Sequence, residues 1–165
     1  MKNGKFDAAC RELEYAIRRL DKNQFFYVIF FDHDAARMTF APNKEPEERA
    51  VPASSGNIKL AEEWMAGIKN ELRTDPFEAV KYAVEMLPDA IYSLSDGKFT
   101  DKGKTEKYLA RHNQLDDPID GQRPKVVIHT VGFHSRAGEE TLEGLAKAYG
   151  GTYRFVPAPP GFKGK

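Results

Sequence analysis

Cysteine is nearly missing from this 165-residue chain. Cys10 stands alone, which excludes an internal disulfide and leaves the redox compartment open. No run approaches the roughly 18 consecutive apolar residues that a membrane-spanning helix needs. The first residues hold no signal-peptide core either, because Lys2, Lys5, Asp7 and Arg11 interrupt every apolar stretch there. Charge of one sign is not in excess, since 25 basic residues face 25 acidic ones. No whole-chain field therefore draws the protein to nucleic acid or to a lipid surface. The basic residues are scattered and form no aromatic-interleaved groove, so nucleic acid and membrane are both set aside as partners. The compartment stays unassigned, and no internal repeat is visible.

What is present suffices for one packed core. Hydrophobic residues make up 41% of the chain and aromatics 12%, at a length that suits a single domain. Residues 1–156 read as that domain, and the Pro- and Gly-rich stretch 157–165 as a flexible tail.

Phe6, Cys10, Leu13, Ile17 and Leu20 recur at steps of three and four, which predicts an amphipathic helix. Phe25 to Phe31 is a continuous apolar run without helical period, suited to a parallel strand covered on both faces. Arg37 to Ala41 reads as a short antiparallel partner at the sheet edge, and 44–55 as a surface loop. Ile58, Ala61, Met65, Ile68 and Leu72 mark a second helix. A third opens on Asp75 as N-cap, with Pro76 at the first helical position and Glu78 completing a capping box. Its stripe is Phe77, Val80, Ala83, Val84 and Leu87, and Pro88 stops it. A strand from Ala90 to Leu94 follows, then a polar helix from Thr100 to Asn113 and a loop from Leu115 to Pro124. Lys125 to Phe133 is another strand. Ser135 is placed to cap a helix with inner face Leu142, Leu145, Ala146 and Tyr149, which Gly150-Gly151 ends. Thr152 to Val156 is the last strand. Alternating helices and strands predict an α/β fold of three layers: a doubly wound, Rossmann-like, mainly parallel sheet with one antiparallel edge strand.

The chemical lead lies where the strand at 90–94 runs into Ser95-Asp96-Gly97. Ligands of open α/β sheets bind at the carboxyl ends of strands. An acid there, on a loop that glycine lets turn sharply, suits a hard cation. Thr74 stands just ahead of the helix that leads into this strand, and with Asp96 it forms the candidate metal pair.

Taken in order, these landmarks resemble the von Willebrand factor type A domain. The resemblance is carried by the strand at 25–31 with Asp32, by Thr74-Asp75-Pro76 before a helix with Ala79, and by Leu94-Ser95-Asp96-Gly97. It continues through Ile128 to Phe133, Leu142, Leu145 and Ala146, and the close Gly150-Gly151-Thr152-Tyr153-Arg154-Phe155. It implies a protein-binding module with a metal-ion-dependent adhesion site, whose metal offers one open coordination position to an acidic side chain of a protein ligand. Three loops build that site. The Thr of the second matches Thr74 and the Asp of the third matches Asp96, but the Asp-x-Ser-x-Ser of the first occurs nowhere in this sequence. The glycine-rich approach to the Thr is here Leu72-Arg73. Met1-Lys2-Asn3-Gly4-Lys5-Phe6 looks like the residues directly after the first loop, so the expectation is an N-terminally truncated domain lacking its central first strand.

Two expectations follow. Mg²⁺ wants six oxygens in near-octahedral array, so one hydroxyl and one carboxylate bind it weakly or not at all in this chain alone. Strands left without a neighbour expose N–H and C=O groups, which invites a homodimer through strand edges.

Plainer readings stand beside these. Asp-Gly is a common turn dipeptide, and Thr74 can be an exposed residue ahead of the Asp75 cap. Asp32-His33-Asp34 after an apolar strand also resembles the nucleophile loop of Mg²⁺-dependent phosphatases of haloacid dehalogenase type. That family needs a later acidic pair, for which Asp116-Asp117 is the available choice. His129 and His134, five apart, fall on opposite faces of a strand and, with His112, read as packing or surface residues. Cys10 reads as a core filler. No catalytic residue is assigned, and the chain reads as a binding module and not an enzyme.

Overall fold

The computed structural model describes residues 3–32, 34–40, 45–68, 75–99, 102–119 and 121–158. In chain order these form α1 (Asn3–Arg18), β1 (Phe25–Phe26), β2 (Ile29–Phe31), β3 (Ala35–Arg37), β4 (Val51–Pro52), α2 (Ser55–Ala66) and α3 (Phe77–Glu85). Then come β5 (Ala90–Ser95), α4 (Lys102–His112), β6 (Gln114–Asp117), β7 (Gly121–Pro124), β8 (Val127–Phe133), α5 (Glu139–Ala148) and β9 (Gly150–Val156). No helix of the described residues is long and apolar enough to cross a membrane.

The main sheet has the order β5-β8-β9 and is parallel throughout. Tyr92 lies opposite His129 and Leu94 opposite Val131, so alternation assigns each side chain to one of two faces. Leu94, Val131, Phe133 and Val156 pack on Ala8 and Ala9 of α1. On the other face Ile91 and Ile128 meet Val80 and Val84 of α3, Tyr108 and Leu109 of α4, and Leu145 and Tyr149. Each of the larger side chains fully buried here contributes about 1.5–3 kcal/mol. Thr130 reaches the same face, where its Oγ1 donates to the Leu142 carbonyl at 2.8 Å and ties α5 to the sheet. The result is the expected three-layer α/β arrangement.

The apolar run at 25–31 folds differently from a single parallel strand. Phe25–Phe26 pairs antiparallel with Val51–Pro52, and Ile29–Phe31 pairs antiparallel with Ala35–Arg37. The run reports burial correctly, since Phe26, Val28 and Phe30 lie in a second core with Ile17, Met65 and Trp64. Burial on both faces does not encode the direction of the partner. The edge strand starts at Ala35, ahead of the Arg37 expected, and Met38 N–H donates to the Val28 carbonyl just past it at 3.0 Å.

Other local corrections share one cause, a competing hydrogen bond. Pro76, expected at the first helical position, is instead the N-cap of α3, and Asp75 sits one residue earlier, its Oδ1 accepting from Phe77 N–H at 3.0 Å. The reciprocal bond of a capping box does not form, because Asp75 N–H donates to the Asp32 carbonyl at 3.0 Å. Ser135 turns its Oγ to Ala137 N–H, and Gly138 takes the N-cap of α5. The expected loop 44–55 contains β4 and the start of α2, which Ser54 caps by accepting from Asn57 N–H at 3.2 Å. The expected loop 115–124 is the hairpin β6–β7, whose turn Asp117 shapes by accepting from Ile119 N–H at 2.9 Å. Asn113, fully buried, closes the base of that hairpin. Its amide donates to the Val126 carbonyl at 2.9 Å and its Oδ1 accepts from Val126 N–H at 2.8 Å.

β2 and β5 belong to separate sheets. α3 nevertheless aligns them. Asp75, just before α3, is bonded to Asp32 just past the end of β2, while Tyr82 lies 4.7 Å under the guanidinium of Arg37, which is opposite Ile29 at the start of β2. α3 thus runs against β2, and the short connection at 86–89 turns it back into β5. β2 and β5 therefore point the same way.

The close approach of β9 to β8 depends on a bulge between Ile128 and Thr130. A Cβ on Gly151 would lie 2.0 Å from the Ile128 carbonyl oxygen. Nearby, His129 Nδ1 accepts from Thr152 N–H at 3.0 Å. Gly144, inside α5, has nothing within 4 Å of a built Cβ. Urea unfolding is expected to show Gly151→Ala losing about 3 kcal/mol and Gly144→Ala gaining about 0.8–1 kcal/mol through helix propensity.

Candidate functional site

β5 delivers Asp96 to the carboxyl end of the main sheet. Ser95, only 2% exposed, accepts from Gly97 N–H at 3.1 Å through its Oγ, and Asp96 Oδ1 accepts from Lys98 N–H at 3.3 Å. These two side-chain bonds replace backbone turn bonds and bend the chain sharply away from the strand. Ser95 thus shapes the turn that carries Asp96.

Gly97 sits at φ +75°, and a Cβ there would fall 2.5 Å from the Gly138 carbonyl oxygen. A Cβ on Gly138 would fall 2.4 Å from the Gly97 Cα. The Asp96 loop and the N-terminus of α5 therefore touch backbone to backbone, with no space for any side chain. Gly138 is the site residue that the sequence analysis passed over. Its one signal is local: a glycine directly ahead of the acidic pair Glu139-Glu140 that opens α5.

Of the predicted pair, Asp96 stands at a strand end as expected. Thr74 lies outside the described residues, as does His33. Asp32 and Asp34 sit in the turn between antiparallel β2 and β3, where Asp32 N–H donates to the Asp34 carbonyl at 3.2 Å. Asp116 and Asp117 belong to the hairpin at the entry of β8, the opposite end of the sheet from Asp96. The acids of the phosphatase resemblance are therefore not brought together. His129 stacks on Tyr92 at 4.7 Å between ring centroids, and His134 follows β8 at φ 56°.

Among the described residues no three His, Cys, Asp or Glu side chains gather so as to hold a metal ion. Asp96 supplies one carboxylate toward the six oxygens Mg²⁺ prefers, and that is a poor fit to a resident ion.

Cys10 lines a cavity of about 310 Å³ between α1 and α2, with Phe6, Asp7, Glu14, Met65, Ala66 and Ile68. Burial, then the carboxylates of Glu14 and Asp7, push its thiol up to about 11. It stays protonated and inert near neutral pH.

No family profile matches the sequence, and no curated protein is similar to it. Solved structures do match. A von Willebrand factor type A protein from Catenulispora acidiphila superposes with a TM-score of 0.68 at 20% identity, covering 95% of this chain and 35% of that one. The fold is von Willebrand factor A-like. An aerotolerance-related membrane protein from Bacteroides fragilis NCTC 9343, solved with multiple mutations to serines, gives 0.63 at 14% identity. That match covers 92% of this chain and 80% of the other. Against the Catenulispora protein, this chain spans 35% of the partner's length, so the match describes one part of a larger molecule.

In this von Willebrand factor A-like frame the Gly97–Gly138 contact fixes the Asp96 loop. Gly97→Ala is expected to destabilise the chain by about 2–4 kcal/mol and to raise amide exchange through 95–99 and at the start of α5. Unchanged exchange there would show that the contact does not hold the loop.

Proposed function

We propose that the chain is a protein-binding module of the von Willebrand factor A kind. Its adhesion site, at Thr74 and Asp96, is degenerate and holds Mg²⁺ weakly or not at all on its own. The observation that carries this reading is Asp96: a strand-end acid in a tightly clamped loop, with no group of three or more His, Cys, Asp or Glu gathered to hold a metal ion among the described residues. The fold supports binding as the task, and the single carboxylate argues against a metal as the main source of affinity. Calorimetric titration with Mg²⁺ or Mn²⁺ is expected to give no saturable heat in the micromolar range. A clear micromolar isotherm would falsify the degenerate-site reading.

Binding is also proposed in preference to catalysis. The separation of Asp32 and Asp34 from Asp116 and Asp117 supports this. Turnover of a generic phosphomonoester with Mg²⁺ is expected to stay at buffer background and to be the same for Asp32→Asn. A rate that this substitution abolishes would make the chain an enzyme.

A second reading, self-assembly through strand edges, draws on the edge of β5 that pairs with no described strand. A solution mass twice that of the chain would favour it.

A further inference from the structure

We propose that the cavity between α1 and α2 binds a small organic cation, an ammonium group carried on a short apolar body. The site is separate from the Asp96 loop, and the inference does not depend on the binding-module reading.

Two kinds of side chain wall this cavity. Asp7, Cys10 and Glu14 stand at steps of three and four along α1, so they line one stripe of that helix. Phe6, Met65, Ala66 and Ile68 supply the apolar remainder. The walls are held in place by packing. Met65 is 3% exposed and shares a core cluster with Ile17 of α1 and Ala61 of α2. Phe6 packs on Phe30 at 5.5 Å between ring centroids, and Phe30 on Trp64 of α2 at 5.6 Å. Arg18, at the end of α1, donates to Glu62 of α2 at 2.6 Å and ties the two helices together. The volume of about 310 Å³ lies at the lower end of the range for small-molecule sites.

Charge decides the occupant. Neither Asp7 nor Glu14 forms an ion pair with a described residue, and the neighbouring Arg18 is engaged by Glu62. The potential inside is negative. After burial, which contributes most, the carboxylates of Glu14 and then Asp7 push the Cys10 thiol up, and Arg11 opposes them more weakly. An anion is repelled there, and a neutral molecule leaves both carboxylates uncompensated. A metal ion is the poorer cation, since no three His, Cys, Asp or Glu side chains gather to hold one among the described residues. The apolar walls offer it no oxygen ligands either. An alkylammonium answers both halves of the cavity. The carboxylates attract its head, the Phe6 ring adds a favourable neighbour for a cation, and Met65 and Ile68 take its body.

The probe is n-hexylammonium, titrated near neutral pH and at low salt into the full ¹⁵N-labelled chain. Hexanoate, similar in length and opposite in charge, is the control. Saturable amide shifts are expected at 6–14 and 64–68, with hexanoate weaker by roughly tenfold or more. Asp7→Asn combined with Glu14→Gln is expected to weaken hexylammonium on the order of tenfold, and Ala66→Trp, a bulky group set in the wall, to block it. No saturation, equal or tighter binding of hexanoate, shifts centred outside α1 and α2, or undiminished binding by the double variant overturns the proposal. The comparison of hexylammonium with hexanoate uses the native chain, so it decides the matter even where a variant fails to fold.

Discussion

Two sheets that exchange no hydrogen bonds among the described residues are bridged on one face by the nine-residue helix α3. Its first turn is fixed by Asp75, whose carboxylate accepts from Phe77 N–H and whose backbone N–H ties the helix to Asp32. Its middle is fixed by Arg37 over the Tyr82 ring, worth about 0.5–1 kcal/mol at an exposed site. Apolar packing contributes more. Val80 and Val84 enter the cluster with Ile91 and Ile128, and each buried side chain of this size contributes about 1.5–3 kcal/mol. Burial therefore sets how firmly α3 is held, and the polar contacts set its direction. α1 repeats the bridge on the opposite face, with Ala8 and Ala9 under the main sheet and Ile17 in the second core. The position of the Asp96 loop relative to the Asp32 turn follows from these two helices.

Most of the helical stripes were legible because a period of 3.6 leaves a mark in any window of a dozen residues, but their ends were not. Leu87, expected on the buried stripe of α3, lies past its end at φ 49° and is 67% exposed, Ile68 lies beyond α2, and Leu72 is outside the described residues. β8 and the burial of 25–31 were legible for the same kind of reason, a continuous apolar run. The partners of that run were not, because pairing direction depends on where the chain returns. The β6–β7 hairpin left no hydrophobic mark at all: Gln114, Asp116, Asp117, Gln122 and Arg123 dominate it, and its stability comes from turn bonds and the Asn113–Val126 clasp. At the site, Asp96 was readable from an apolar strand ending in acid and glycine. Gly138 was not, since its reason for being glycine is a contact with Gly97, far away in the chain. Ser135 drew the capping assignment because a hydroxyl ahead of a helix is a local signal, and the local signal was outweighed by its bond to Ala137.

Identities of 20% and 14% with well-superposed structures mean that the layers are shared while most side chains are not. A fold of this kind hosts many tasks, so what this chain does depends on the particular groups at its strand ends and edges. Those groups are unusual in being sparse in ligands and rich in backbone constraint. Ser95, Gly97 and Gly138 all act on main-chain geometry.

The clasp between Asn113 and Val126 has a consequence for how the chain tolerates change. It brings the exit of α4 and the entry of β8 to one point, so everything between them is a detour from which neither core draws a residue. Ile119 at its tip is 91% exposed. Foreign sequence spliced there would dangle in solvent while the clasp kept the surrounding layers in register, which makes this tip a natural handle for tethering the protein to a surface.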